Sequence, residues 1–293
     1  MLINTYKLDE DKPMGFGDFI RGCISCHQIS LEYNFEFEID LGPFSEFYKE
    51  TKKYFPKNNV PITNFRNLTT NGKSFAKKLY FHSGKDFNNF NISAFSIFTN
   101  VWPQNTIDTI EKPNLKHTHK GWGDISKTTK KFIKDRLKPN IKKNDFLKSL
   151  PIEYEVVHIR TGDPNAFKNS FDAKVDVTTS ENGIASYMMF QLVDILKTTD
   201  KPLIILSDSL VVKNYINTIS SGFNSDRIIV SDVEAKHAGT GGCEETFNDL
   251  CILNKSKKIH QFSVYPWGSG FSNIAHHIYD VPIERYDKLK SHF

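Results

Sequence analysis

The chemistry most readily drawn from this chain lies in Val156-Val-His158-Ile-Arg160-Thr-Gly162-Asp163, where an apolar run ends in a histidine, an arginine and a Gly-Asp turn. On a strand, positions 158 and 160 share one face. A guanidinium is planar, permanently charged and a bidentate donor, which suits it to a diphosphate. In an open α/β sheet both side chains would sit near the strand's carboxyl end, where such sheets bind ligands. The other reading is an ion pair between Arg160 and a structural carboxylate such as Asp163.

A second segment, Gly15-Phe-Gly17-Asp18-Phe-Ile-Arg21-Gly22, falls between a strand and a helix. Glycine lets backbone approach a ligand, and a helix N-terminus offers free N–H groups with partial positive charge. It is no dinucleotide fingerprint, because the third glycine would fall on Ile20. Asp18 is either the helix N-cap or a carboxylate at the mouth of a cleft. Arg21 is either a surface charge or a ligand contact.

Two further segments follow buried strands. In Leu206-Ser207-Asp208-Ser209 the small polar groups either hydrogen-bond a nucleotide or cap the next helix. In Trp267-Gly-Ser269-Gly270-Phe-Ser272, Ser269 and Ser272 are phosphate candidates, with N-capping as the alternative. Trp267 either stacks on a ring or closes the core. Other motifs fail. Asn71-Gly-Lys-Ser74 ends like a P-loop, but Asn67 replaces its first glycine. The Asp9-Glu-Asp11 triplet lies in a charged stretch rather than after a strand, and neither G-x-S-x-G nor H-E-x-x-H occurs.

The elements that must position these residues show two grammars. In the first half, a strand (Leu2 to Tyr6), a helix (about Asp18 to Tyr33) and an alternating strand (Phe35 to Ile39) are followed by strand-like runs at Lys78–Ser83 and Ala94–Val101. A basic helix, about Asp124 to Leu137, stops before Pro139. From Ile152, strands near 153–159, 202–206, 227–230 and 258–263 alternate with helices, including one from Ser180 to about Lys197. That alternation implies a parallel sheet covered on both faces. The 293 residues suffice for two domains, and Lys138–Lys143 is the expected linker. The division is then 1–143 and 144–293.

With 39% hydrophobic and 25% charged residues, the chain is globular rather than disordered. A net charge of +4 is too small to argue for nucleic acid. No apolar run approaches the ~20 residues of a membrane span, and Met1-Leu-Ile-Asn-Thr-Tyr6 lacks the regions of a signal peptide. The expectation is a cytoplasmic chain without a transmembrane segment. Cys23 and Cys26 form a C-x-x-C, but Cys243 and Cys251 are spaced too widely for a zinc ribbon, so buried thiols are expected.

Together the four segments resemble the fucosyltransferase superfamily of GT-B glycosyltransferases, which share an H-x-R-x-G-(D/N) element matched here by His158-Ile-Arg-Thr-Gly-Asp163. Gly15-Phe-Gly-Asp-Phe-Ile-Arg21 resembles the N-terminal segment of nodulation-factor fucosyltransferases, and the segments near Asp208 and Ser269 resemble the middle and last motifs. The resemblance implies an α/β fold of two Rossmann-like domains facing each other across a cleft, the first on the acceptor side and the second binding a nucleotide sugar. It implies transfer of L-fucose from GDP-fucose to a glycan hydroxyl without a metal or other cofactor. Arg160 would hold the donor β-phosphate with His158 close by. Asp163, Ser207, Asp208, Ser269, Gly270 and Ser272 would line the donor pocket. Gly15, Gly17 and Arg21 would face the diphosphate, with Asp18 near the reacting centre. Many relatives carry H-x-R-R, whereas the second arginine is Thr161 here. That departure leaves open another nucleotide sugar, or a non-catalytic glycan- or nucleotide-binding protein on the same fold. No motif marks the acceptor side, where His82, Trp102, His117, His119 and Trp122 are available.

Overall fold

The computed structural model describes residues 2–6, 15–32, 36–49, 63–65, 95–99, 122, 125–140, 145–161, 190–222, 226–231, 242–263 and 268–286. The chain divides into two compact units. One comprises Met1–Asn144, His237–Phe247 and His277–Tyr279; the other comprises Asp145–Lys236, Asn248–His276 and Asp280–Phe293.

In the first unit, strands β1 (Leu2–Thr5), β2 (Phe37–Asp40), β3 (Thr63–Phe65) and β4 (Phe95–Thr99) form a parallel sheet in the order β2-β1-β4-β3. The helix Phe16–Glu32 packs on β1, β2 and β4 and against the helix Lys127–Arg136. Its apolar residues recur at helical spacing, Phe16, Phe19, Ile20, Cys23 and Ile24, and all are fully buried. Tyr6, Phe16, Phe19 and Phe44 form an aromatic cluster in which Tyr6 meets Phe19 and Phe44 edge-on at 5.2 and 5.1 Å. The two helices are joined by His27, which hydrogen-bonds Thr129 Oγ1 at 2.9 Å and stacks on Phe132 at 4.1 Å.

The second unit is built on β5 (Glu155–Arg160), β6 (Leu203–Ser207), β7 (Ile228–Val230), β8 (Ile259–Ser263) and β9 (Ile283–Tyr286), all parallel, in the order β7-β6-β5-β8-β9. Leu-Ile-Ile-Leu-Ser in β6 and Ile-His-Gln-Phe-Ser in β8 are buried along their whole length, as strands covered on both faces must be. Val157, Ile159, Leu203, Ile205 and Phe262 turn one way onto Leu192 and Ile195 of the helix 190–198 and onto Val212 and Ile216 of the helix Leu210–Gly222. The strand period of two therefore turns Val156, His158 and Arg160 to the other face. The chain leaves β5 toward β6 and β7, then returns to the far side of β5 as β8. The order reverses beside β5.

The strands expected near Leu2, Phe35, Ala94, Glu153, Pro202, Arg227 and Lys258 are present within a residue or two at most ends. The run Lys78–Ser83 and residues 180–189 of the expected long helix lie outside the described residues. Two strands were not anticipated. β3 is only three residues long, and Ile-Glu-Arg-Tyr in β9 is an edge strand whose charged residues are exposed, so neither carries an apolar run. Of the expected linker, Lys138–Asn140 is bridged to the 3-10 helix Gly42–Phe47 and its following residues: Asn140 N–H donates to Phe47 O at 2.8 Å and Lys49 N–H to Lys138 O at 2.9 Å.

Gly42 shows how tightly the first unit closes. Its φ of 53° is left-handed, its N–H donates to Asp40 Oδ1 at 3.0 Å, and an added Cβ would stand 2.4 Å from the Tyr6 carbonyl oxygen. That carbonyl belongs to backbone pinned by the Tyr6 N–H bond to Asp40 O, so it cannot yield cheaply. Gly42→Ala should destabilise the protein by about 2 kcal/mol in urea unfolding; unchanged stability would contradict this packing.

Candidate functional site

The residues at the carboxyl ends of β5 and β6 are tied together by one carboxylate. Asp208, the residue after β6, accepts from Arg160 Nη1 at 2.7 Å through Oδ2, and from Thr161 N–H at 2.8 Å and Thr161 Oγ1 at 3.0 Å through Oδ1. Both ends of the ion pair keep contact with solvent, with 28% of the Arg160 side chain and 18% of Asp208 exposed. Thr161 is buried at 3%. The ion-pair reading of Arg160 is therefore realised with Asp208; Asp163 lies outside the described residues.

The next residues settle the rest of that loop. Ser207 Oγ accepts the Ser209 N–H at 3.1 Å, and Ser209 Oγ accepts the Val212 N–H at 3.2 Å. Ser209 thus caps the helix Leu210–Gly222. Of the two expected roles for this segment, nucleotide binding or capping, capping falls to Ser209, while Asp208 holds Arg160.

On the other side of β5, Arg160 is the register partner of Ser263 at the end of β8. Beyond β8, Gly268 has φ 75°, and Ser269 is the N-cap of the helix Gly270–Tyr279, its Oγ accepting the Phe271 N–H at 3.3 Å. Gly270 is the first helical residue, and Ser272, in the first turn, is fully buried and bonded to His158 Nδ1 at 2.6 Å. Strand end and helix start are thereby fastened together through a histidine whose pKa burial lowers to about 3, with the Arg160 charge adding to the effect. His158 is a neutral hydrogen-bonding group at physiological pH.

In the first unit, the helix expected from Asp18 begins at Phe16. Asp18 is the third helical residue rather than the N-cap, and it pairs with Arg21 at 3.0 Å. Gly15 precedes the helix and its carbonyl accepts the Phe19 N–H at 3.1 Å, while Gly17 is buried in the first turn. Gly15, Gly17, Asp18 and Arg21 thus share one helix start in this unit, and Arg160, His158, Ser207, Asp208, Ser269, Gly270 and Ser272 belong to the second. Trp267, His82, Trp102, His117 and His119 lie outside the described residues; Trp122 stacks on His277 at 5.7 Å. All four cysteines are free and buried, and burial raises the pKa of each, so they stand as packed thiols. Among the described residues no group of three or more side chains is arranged to hold a metal ion, and no helix is long and apolar enough to cross a membrane.

Sequence reasoning passed over two residues. Thr161 gives both its amide and its hydroxyl to Asp208. Gln261, 2% exposed, lies against Gly268, where an added Cβ would stand 2.4 Å from its Oε1. A polar residue at the centre of the apolar run Ile259–Ser263 was the available signal for Gln261.

This arrangement can bind an anion: a guanidinium at a strand end, beside the point where strand order reverses, with a helix N-terminus across the adjacent strand. No family model matches the chain, and no curated protein matches it in sequence. Among solved structures, it is similar to NodZ α-1,6-fucosyltransferase soaked with GDP-fucose, at TM-score 0.50 and 12% identity over 98% of this chain and 94% of that one. The structure of POFUT1 in complex with GDP is matched at TM-score 0.38 and 11% identity, over 97% of this chain and 73% of that one. At such identity the first likeness is one of fold: a mixed α/β protein with parallel sheets, similar to a fucosyltransferase.

The depressed His158 pKa has a sign that can be measured. Below about pH 6.5 the unfolded histidine takes up a proton that the folded one refuses. Stability is then lost as pH falls from about 6.5 toward 3, by up to about 1.4 kcal/mol per pH unit. His158→Gln should flatten that part of the pH–stability curve; equal slopes for both proteins would show that the histidine is not held neutral.

Proposed function

We propose that this chain is a glycosyltransferase of GT-B architecture, with residues 1–143 as the acceptor-side domain and 144–293 as the nucleotide-sugar-binding domain. It transfers L-fucose from GDP-fucose to a glycan hydroxyl. The observation that carries the reading is Arg160, held by Asp208 at the carboxyl end of β5, beside the reversal of strand order. The fold likeness to a fucosyltransferase supports it.

In the proposed reaction the bond between the sugar's anomeric carbon and the β-phosphate oxygen breaks, and the bond to the acceptor oxygen forms. Charge builds on the departing diphosphate. Arg160 and the amides at the start of the helix Gly270–Tyr279 interact more strongly with that charge than with the ground state, which lowers the barrier. Asp208 fixes the guanidinium's direction before substrate arrives. His158, neutral and bonded to Ser272, holds strand and helix in register, and Ser269 and Gly270 at the helix start are proposed phosphate contacts. Asp163 and Ser207 complete the proposed donor set. In the first domain, Gly15, Gly17 and Arg21 are the proposed diphosphate contacts. Asp18, 46% exposed at its side chain, is the proposed base for the acceptor proton. The chemistry asks for no metal, since the arginine and helix amides supply the countercharge.

Thr161 favours one second reading. Where relatives have another guanidinium, this residue is buried and spends its amide and hydroxyl on Asp208, so a nucleotide sugar other than GDP-fucose is the alternative on the same fold.

A thermal-shift panel separates them, because a ligand bound only by the native state stabilises it by RT ln(1 + [L]/Kd). GDP should raise Tm, with UDP and dTDP giving little; a shift with UDP or dTDP alone would sink the GDP-fucose assignment. Arg160→Ala should lower kcat/KM at least ~100-fold, and activity should survive EDTA. Near-wild-type turnover in the variant would remove Arg160 from the mechanism. Tight GDP-fucose binding without turnover on any glycan would leave a binding protein instead.

A further inference from the structure

The net positive charge of this chain is accounted for by one stretch of sequence. Between Lys127 and Lys143 the sequence carries eight lysines and arginines against a single aspartate, while the whole chain nets only +4. Everything outside that stretch is therefore net negative. Within it, Lys127, Lys131, Lys134 and Lys138 recur at intervals of four, three and four residues. On a helix this spacing keeps Lys127, Lys131 and Lys134 within an arc of about 60°. The structure bears a helix over Lys127–Arg136, with Lys138 just beyond its end. Its opposite face, Thr129, Ile133 and Leu137, is buried. Lys127, Lys131 and Lys138 are exposed, the Lys131 side chain at 82%.

Further contacts engage charges of this helix. Arg136 makes a two-pronged bond to Glu38, at 2.9 and 2.7 Å, and lies over the Phe132 ring. Asp135 meets Lys131 at 3.2 Å in a solvated pair, too weak to cancel the stripe. Lys134 reaches over Tyr279, its Nζ 5.8 Å from the ring centroid. The result is a row of long cationic side chains, borne by a protein whose remaining charge has the opposite sign. Such a charge distribution turns this face toward an anionic surface on approach.

We propose that this stripe docks the protein onto an anionic lipid bilayer. The stripe consists of lysines, compact point charges, and carries no arginine fork, amide or exposed aromatic ring that would read a base edge or stack on a sugar. A plane of acidic headgroups asks for nothing more than such a row. Among the described residues no large apolar side chain stands between the lysines, so binding is electrostatic, reversible and steeply salt-dependent. The proposal is independent of the transferase reading.

The test is flotation of the full chain with vesicles of about one third phosphatidylglycerol in phosphatidylcholine, against phosphatidylcholine alone. Binding is expected to the acidic vesicles at about 0.1 M salt and to vanish at about 1 M, where the screening length has shrunk from about 10 Å to about 3 Å. Combined Lys127→Gln, Lys131→Gln and Lys138→Gln should lower partitioning about a hundredfold, with Tm unchanged because all three are exposed. A charge-matched control, Lys197→Gln with Lys201→Gln and Lys258→Gln, should bind like wild type. Absence of binding to acidic vesicles, or equal loss in the control, would overturn the proposal. So would retention on heparin without vesicle binding, which would assign the stripe to a soluble polyanion.

Discussion

The second unit depends on a carboxylate that does two jobs at a strand end. Asp208 closes β6 against β5 by taking the amide and hydroxyl of Thr161, and with its other oxygen it aims Arg160. An arginine side chain left to itself samples many rotamers, and ordering it on binding would cost part of the interaction energy. Tethered at a partly exposed pair, it would meet the proposed anion already oriented. The same tether sets a limit, since Asp208 opposes the charge that Arg160 would offer. In the proposed reaction a phosphate would therefore also draw on the helix start at Gly270.

That helix is held by the strand it serves. His158 and Ser272 link β5 to its first turn across the buried face of the sheet, and Gly268 lets the chain turn tightly over Gln261. In the first unit the equivalent position, after β1, is taken by Gly15 and the helix Phe16–Glu32. Both units thus place a glycine-bearing helix start beyond a parallel strand, the arrangement that open α/β sheets use to meet anions.

Much of this was legible in the sequence. The apolar runs of β5, β6 and β8 announced a parallel sheet because strands covered on both faces cannot alternate. The order His158, Arg160, Asp208, Ser272 along the chain was visible as strand-end chemistry, but which of these groups would bond to one another was not. Pairing of Arg160 with Asp208 rather than a nearer carboxylate is set by strand adjacency, a tertiary fact. The helix start near Asp18 was read too late, because Phe16 and Phe19 need a helical backbone to reach the aromatic cluster around Tyr6. Short or charged strands such as β3 and β9 leave little pattern to read, being ordered by their neighbours rather than by their own apolar content.

The proposed grip of Arg160, at the end of β5, on a diphosphate is open to direct observation in a crystal structure of the chain with GDP bound. It predicts the guanidinium of Arg160 about 2.7–2.9 Å from β-phosphate oxygens, as charge-assisted bonds of this kind run, with the phosphate facing the helix start at Gly270. GDP seated elsewhere, with Arg160 bonded to Asp208 and no phosphate in reach, would contradict it.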